Sequence, residues 1–354
     1  MKKKWAIIEA LIILIVAAGI FIFYLYKKGK RAPEEDESIL KSVPNDVELS
    51  DPEPEPLPDE ETLDPEIRSQ LEKAEEEKSM EEKKDSVSVD IIVFAGQSNM
   101  AGYGGDHTKV PLLTEGAGGE FRSVSDPARL YTIIEPFGFY ENTAIMNDFF
   151  LKRGSLVTAF INAYYRDTGV PVVAVSASKG GTPSTYWAAD VVLSEVEGRF
   201  LRTKQWLTDN GYQVRNQFLV FLQGENDCLE NISTEQYLTD INVFSSRMFY
   251  SGIDKFLIIR IGQIRGYPDS FARIRDVQTE LCRTDPRFVL ISTGLSAFGP
   301  EHMIDSYHFD QEALNLVGEE AGTNAAYFAN TRHDPIIIDY ATKVNYVPID
   351  YDGL

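Results

Sequence analysis

The chain has little cysteine, little histidine and little positive charge. Its 354 residues include two cysteines, Cys228 and Cys282, and four histidines. Two thiols cannot build a disulfide framework, and neither stands in Cys-x-x-Cys spacing or beside a histidine, so a structural zinc site is excluded. Both are read as packed thiols, with a single disulfide as the alternative. Lys and Arg number 34 against 55 Asp and Glu, a formal net charge of -21. Such a chain repels a phosphate backbone instead of releasing its counterions, so nucleic acid is not an expected partner. With 25 Gly and 17 Pro the chain is neither collagen-like nor wholly disordered, and one substantial globular domain with appendages is expected.

Charge and hydropathy divide the chain. Trp5 to Tyr26 is apolar apart from Glu9, and it is flanked by Lys2, Lys3 and Lys4 before and Lys27, Lys28, Lys30 and Arg31 after. At ~1.5 Å per residue such a run reaches roughly 33 Å, enough to cross a bilayer core. It is longer than a signal-peptide core and no small-x-small site stands directly before the basic cluster, so residues 1–31 are expected to be an uncleaved membrane anchor that contacts lipid through residues 5–26. The basic flanks nearly balance, which leaves the orientation open. Residues 32–87 contain no aromatic residue and are punctuated by Pro44, Pro52, Pro54, Pro56, Pro58 and Pro65 among acids. They cannot bury enough surface to offset chain entropy, and an extended, partly helical acidic stalk is expected.

From residue 88 the pattern becomes globular. Near-continuous apolar runs at Val89–Ala95, Val170–Ser176, Gln217–Leu222, Lys255–Ile261 and Arg287–Ser292 have the character of strands buried on both faces. Amphipathic stretches at Ser155–Arg166, Ala189–Asp209, Thr234–Tyr250, Asp269–Arg283 and Gln311–Phe328 lie between and after them. This alternation predicts an α/β fold, a three-layer α/β/α sandwich with a mostly parallel sheet over 88–354. Residues 332–354 remain an unassigned extension. Ligands in such folds bind beyond the carboxyl ends of the strands.

The first strand ends in Gly96-Gln97-Ser98-Asn99-Met100. A serine on a glycine-flanked turn offers an exposed hydroxyl and a backbone N–H to a developing oxyanion, although alone it is as well explained as a turn with a capping serine. The five-residue string resembles the nucleophile block of the SGNH hydrolase superfamily, in its sialate O-acetylesterase and carbohydrate acetylesterase branch. The resemblance covers roughly residues 88–330 and implies a flavodoxin-like sheet and three further blocks in order. Ser178-Lys-Gly-Gly-Thr-Pro-Ser-Thr-Tyr-Trp187 is similar to the block whose glycine N–H holds the oxyanion, with Gly181 favoured and Gly180 next. Gln223-Gly-Glu-Asn-Asp227 resembles the third block, in which Gln223 and Asn226 both qualify as the side-chain amide donor. Gln97, Asn99, Glu225 and Asp227 are assigned to supporting contacts around these groups. Asp305-Ser-Tyr-His308 follows the last strand, and the resemblance makes His308 the base and Asp305 its orienting partner. His107, His302 and His333 are left as surface or rim residues.

The resemblance implies a serine esterase that removes O-acetyl groups from carbohydrate with no metal or organic cofactor. Trp187, Tyr186 and Tyr103 are candidates to stack on a sugar ring. Two alternatives remain: a membrane-tethered acyltransferase with the same triad, and a carbohydrate-binding module that keeps only the fold. A polymeric substrate, an anchor and a spacer together lead to the expectation of a catalytic domain outside the cytoplasmic membrane of a bacterium.

Overall fold

A computed structural model describes residues 87–148 and 150–348. The expected anchor and the stalk up to residue 86 lie outside the described residues. Within them no helix is long and apolar enough to cross a membrane.

The chain opens with strand β1 (Ser88–Gly96) and the one-turn helix α1 (Ser98–Ala101). Two short strands, β2 (Gly118–Phe121) and β3 (Leu130–Tyr131), precede helix α2 (Val157–Thr168) and strand β4 (Val172–Ser178). Then come α3 (Ser184–Trp187), α4 (Asp190–Asp209), β5 (Gln213–Leu222), α5 (Glu225–Leu229) and α6 (Thr234–Ser251). Strand β6 (Lys255–Ile259), α7 (Ala272–Thr284), β7 (Phe288–Ser292) and α8 (Gln311–Thr331) complete the sandwich, and a hairpin of β8 (Ile337–Asp339) and β9 (Val344–Tyr346) follows.

The seven-stranded sheet runs β3-β2-β4-β1-β5-β6-β7. All its pairs are parallel except β2 with β3. Both faces are covered, and strand β5 shows why. Its Phe218 ring lies 5.9 Å from Phe328 of α8, whereas Phe221 lies 5.3 Å from Phe244 of α6. Side chains three apart on a strand point to opposite faces, so α8 and α6 belong to different layers. Helix α2 shares the α8 layer, and its Phe160 meets Phe94 of β1 edge to face at 5.2 Å.

Both segments without a place in the sequence pattern join this body. In 107–142, β2 and β3 extend the sheet edge, and the Glu135 carboxylate accepts hydrogen bonds from the Ser155 N–H and hydroxyl and the Thr158 hydroxyl at the start of α2. In the tail, Asp339 pairs with the buried Arg260 guanidinium (Nη1–Oδ2 2.8 Å), and the Ile338 carbonyl accepts from Thr293 at 2.7 Å. The tail thereby closes over the ends of β6 and β7. Strands β4, β1, β5, β6 and β7 finish on one edge, which gathers the loops that begin at residues 179, 97, 223, 260 and 293.

Candidate active site

Ser98 is the first residue of α1, directly after β1. Gly96 makes that position reachable: it has φ +142, and a Cβ there would lie 2.1 Å from the Leu222 carbonyl oxygen. Only glycine lets β1 turn this close to β5. Ser98 is 3% exposed, and its N–H is at the open start of the helical turn. Its hydroxyl makes no hydrogen bond among the described residues, so it is not joined directly to His308.

The His308 ring is held by Asp305, with Nδ1 2.6 Å from Oδ2. The other carboxylate oxygen accepts from the Tyr307 and His308 N–H groups at 3.0 and 2.9 Å. Burial alone raises the Asp305 carboxyl, but those backbone donors and the His308 ring outweigh it and hold it below the usual value. An ionised Asp305 accepts the Nδ1 proton and leaves the Nε2 lone pair free. Asn99 fastens this loop to the serine turn. Its Nδ2 donates to the Tyr307 carbonyl at 3.1 Å, and its Oδ1 accepts from the Phe309 N–H at 3.3 Å. The residue after Ser98 thus grips the chain on both sides of His308.

The remaining blocks are cross-tied in the same manner. Gln97 donates to Asn226 Oδ1 at 3.1 Å and accepts from the N–H groups of Gly224 and Asn226. Asp227 accepts from the Ser184 N–H at 2.9 Å, which fixes the 182–187 segment to α5. Gln223 and Asn226, indistinguishable in the sequence, differ here. Gln223 is fully buried, and its Nε2 donates to the Thr182 carbonyl at 3.1 Å and to Asp227 at 2.5 Å. No N–H of that amide remains for a substrate. Asn226 is half-buried, and its Nδ2 has only a long 3.4 Å contact with Glu230.

The two glycines separate as well. The Gly180 N–H donates to Asp148 at 2.7 Å. Gly181 follows in the left-handed conformation (φ +69), with open space where a side chain would stand, and its N–H has no acceptor among the described residues. Asp148 was not visible as a site residue in the sequence, because it lies on a loop about thirty positions before Gly180. Its buried carboxylate also binds Lys179 at 2.8 Å and bonds the Tyr103 hydroxyl, whose acidity is suppressed by burial and by that carboxylate. The Tyr103 ring lies 5.6 Å from the His308 ring. Asp148 therefore ties the glycine loop to the histidine side of the site.

Residues 88–326 match the family described as carbohydrate esterase, sialic acid-specific acetylesterase. The chain belongs to this family. It is accordingly a carboxylic ester hydrolase. No curated protein matches it in sequence. Among solved structures, an Arabidopsis thaliana protein superposes with a TM-score of 0.50 at 20% identity, covering 67% of this chain and 97% of that one. NanS gives 0.45 at 10% identity over 70% of this chain and 99% of its own, and a carbohydrate acetylesterase from Xanthomonas citri gives 0.45 at 16% over 71% and 58%. The Arabidopsis protein shows the shared fold.

The aromatic candidates of this esterase fare differently from their sequence assignment. Trp187 is 0% exposed, between Phe221 and Phe244 with both ring centroids at 5.4 Å, and its Nε1 donates to Thr182. It cannot stack on a sugar, because its faces are already covered by core. Trp187→Ala is expected to cost about 3–5 kcal/mol in chemical denaturation; a KM effect at unchanged stability would contradict this placement. Tyr186 is half-buried and donates to the Ile145 carbonyl at 2.7 Å. An aromatic absent from the sequence candidates, Tyr267, is 69% exposed on the turn after β6. That turn is joined to the histidine loop by the Arg265 N–H, which donates to the Ser306 carbonyl at 2.7 Å. Its sequence signal was an aromatic beside Gly266 and Pro268 directly beyond a strand.

A groove of about 700 Å³ between α2 and α8 contains none of these residues. Its polar walls are engaged with one another, Asn162 with Thr114 and Leu112, and Arg166 with Glu319, so its size does not compete with the chemistry at the strand ends. Among the described residues no group of three His, Cys, Asp or Glu side chains could hold a metal ion.

Proposed function

We propose that the esterase removes O-acetyl groups from carbohydrate by two-step acyl transfer through Ser98, His308 and Asp305. The observation that carries this reading is the Asp305–His308 pair, 2.6 Å apart, on a loop pinned to the residue next to Ser98. Ser98 Oγ bonds to the ester carbonyl carbon as His308 Nε2 takes its proton. The carbonyl electrons move onto the oxygen, which the N–H groups of Ser98 and Gly181 and the Asn226 amide receive. Collapse breaks the bond to the sugar oxygen, which leaves with the proton from His308. Water then repeats the sequence, releasing acetate and Ser98. Asp305 keeps the proton on Nδ1 and stabilises the imidazolium.

Family membership and the strand-end geometry support an acetylated sugar as substrate, of sialate or acetylxylan type. In this reading Tyr267 is the exposed ring that the sugar meets. Acetate release by the full chain from O-acetylated sialic acid, acetylated xylan and a small aryl acetate tests both points. Serine-dependent release is expected, and absence of release by folded protein from all three would overturn the function. Tyr267→Ala is expected to raise KM for the preferred glycan and to leave aryl acetate hydrolysis unchanged; equal effects on both substrates would remove Tyr267 from sugar contact. We further propose that the apolar run 5–26 tethers the enzyme to a bacterial cytoplasmic membrane with the catalytic domain outside. Protease accessibility of the domain in intact cells tests that placement.

A further inference from the structure

Glu225 is the least explained polar group near the site. It is fully buried on α5, its Oε1 accepts from Asn99 Nδ2 at 2.7 Å, and its Oε2 has no partner among the described residues. With that bond, the Asn99 carboxamide is fully committed: two N–H groups go to Glu225 and the Tyr307 carbonyl, and its oxygen takes the Phe309 N–H. Rotating the amide by half a turn sets its oxygen against two acceptors and its NH2 against a donor. A carboxylate at Glu225 enforces the observed orientation, because it can only accept. A protonated Glu225 carries a hydroxyl that can donate to the reversed amide, which weakens the lock.

We infer that Glu225, in its ionised form, is a positioning residue that acts through Asn99 to hold His308 in register with Ser98. This rests on the esterase mechanism proposed above. Burial pushes the Glu225 carboxyl up to about 7, against the opposing pull of Asn99 and its own backbone N–H, and Asp227 on the same helix adds to the rise. Cys228 from that helix and Tyr237 from α6 are the other titratable groups that interact with it, and both are driven further towards their neutral forms. Asn99 in turn holds the loop that carries Asp305, Tyr307 and His308. The lock is therefore weakened as Glu225 takes up its proton, while the base role of His308 separately requires an unprotonated ring nitrogen.

Two protons must then leave before the free enzyme is fully competent. The test is log(kcat/KM) for an aryl acetate between about pH 5 and pH 9, with the full chain, Ser98→Ala as control, and Glu225→Gln. The wild-type acid limb is expected to be steeper than a slope of about 1 over part of its range, and Glu225→Gln, which can accept from Asn99 but never ionises, to show a slope of about 1 throughout and a plateau lowered severalfold. A wild-type slope of one, or a Glu225→Gln limb that superimposes on the wild type, overturns the positioning role. The wild-type limb decides this even if the variant fails to fold. Hydrolysis that does not depend on Ser98 would overturn the underlying mechanism, and the positioning role with it.

Discussion

Ser98→Ala and His308→Ala are each expected to lower kcat on an acetyl ester by roughly 10³- to 10⁶-fold with the fold intact. The two effects should be similar and far from additive. An alanine at 98 removes the nucleophile, and an alanine at 308 leaves a hydroxyl with no base to take its proton, so either loss stops the same step. Residual rate would come from the oxyanion donors, which survive both changes because two of them are backbone N–H groups. The fold should survive because neither side chain holds the core: among the described residues the Ser98 hydroxyl makes no hydrogen bond, and the His308 ring bonds only to Asp305, three positions earlier. Circular dichroism and thermal melts of the variants check that condition. Near wild-type turnover by either purified variant would remove the triad from the mechanism.

The second large effect concerns the amide. Asn226→Ala is expected to reduce kcat by about 10²- to 10³-fold with little change in KM, as for loss of one oxyanion donor. Gln223→Ala should behave differently. Its amide bridges the Thr182 carbonyl and Asp227, and Gln278 donates to its backbone carbonyl at 2.7 Å. Truncation leaves the buried Asp227 carboxylate and Thr182 carbonyl short of a donor, so stability should fall together with activity. A purely catalytic defect in Gln223→Ala, with Asn226→Ala active, would reverse the assignment.

Much of the architecture was legible because burial on both faces writes itself into a strand as an uninterrupted apolar run. The five main strands and five long helices stand within a few residues of the runs that announced them; β4, for instance, spans Val172–Ser178 against an expected Val170–Ser176. What escaped has a physical reason. Strand β2, Gly-Gly-Glu-Phe, opens with two glycines of low strand propensity and carries a buried glutamate, so Phe121 alone marks it as apolar. The tail hairpin has three-residue strands whose partners, Arg260 and Thr293, are far away in the chain.

The site shows the same division. Ordered blocks at strand ends identified which loops meet, since parallel strands must finish on one edge. They could not say where an amide points, which is decided by the Thr182 carbonyl and Asp227 for Gln223 and by Gln97 for Asn226. Trp187 illustrates the point: a tryptophan after a glycine loop fits a sugar platform or a core, and only the surrounding phenylalanines distinguish the two. Asp148 had no local pattern at all. Its role arises from the fold of a long connection back onto Gly180, Lys179 and Tyr103.

The proposed mechanism stands on Ser98 as the group that becomes acylated, with His308 as its activator. The most direct measurement is intact-protein and peptide mass spectrometry after exposure to a fluorophosphonate, which phosphonylates serines activated as nucleophiles. One adduct per chain on the peptide that contains Ser98, lost in His308→Ala, is the predicted result. An unlabelled Ser98 in protein that still hydrolyses acetyl esters, or an adduct on a different residue, would contradict the account.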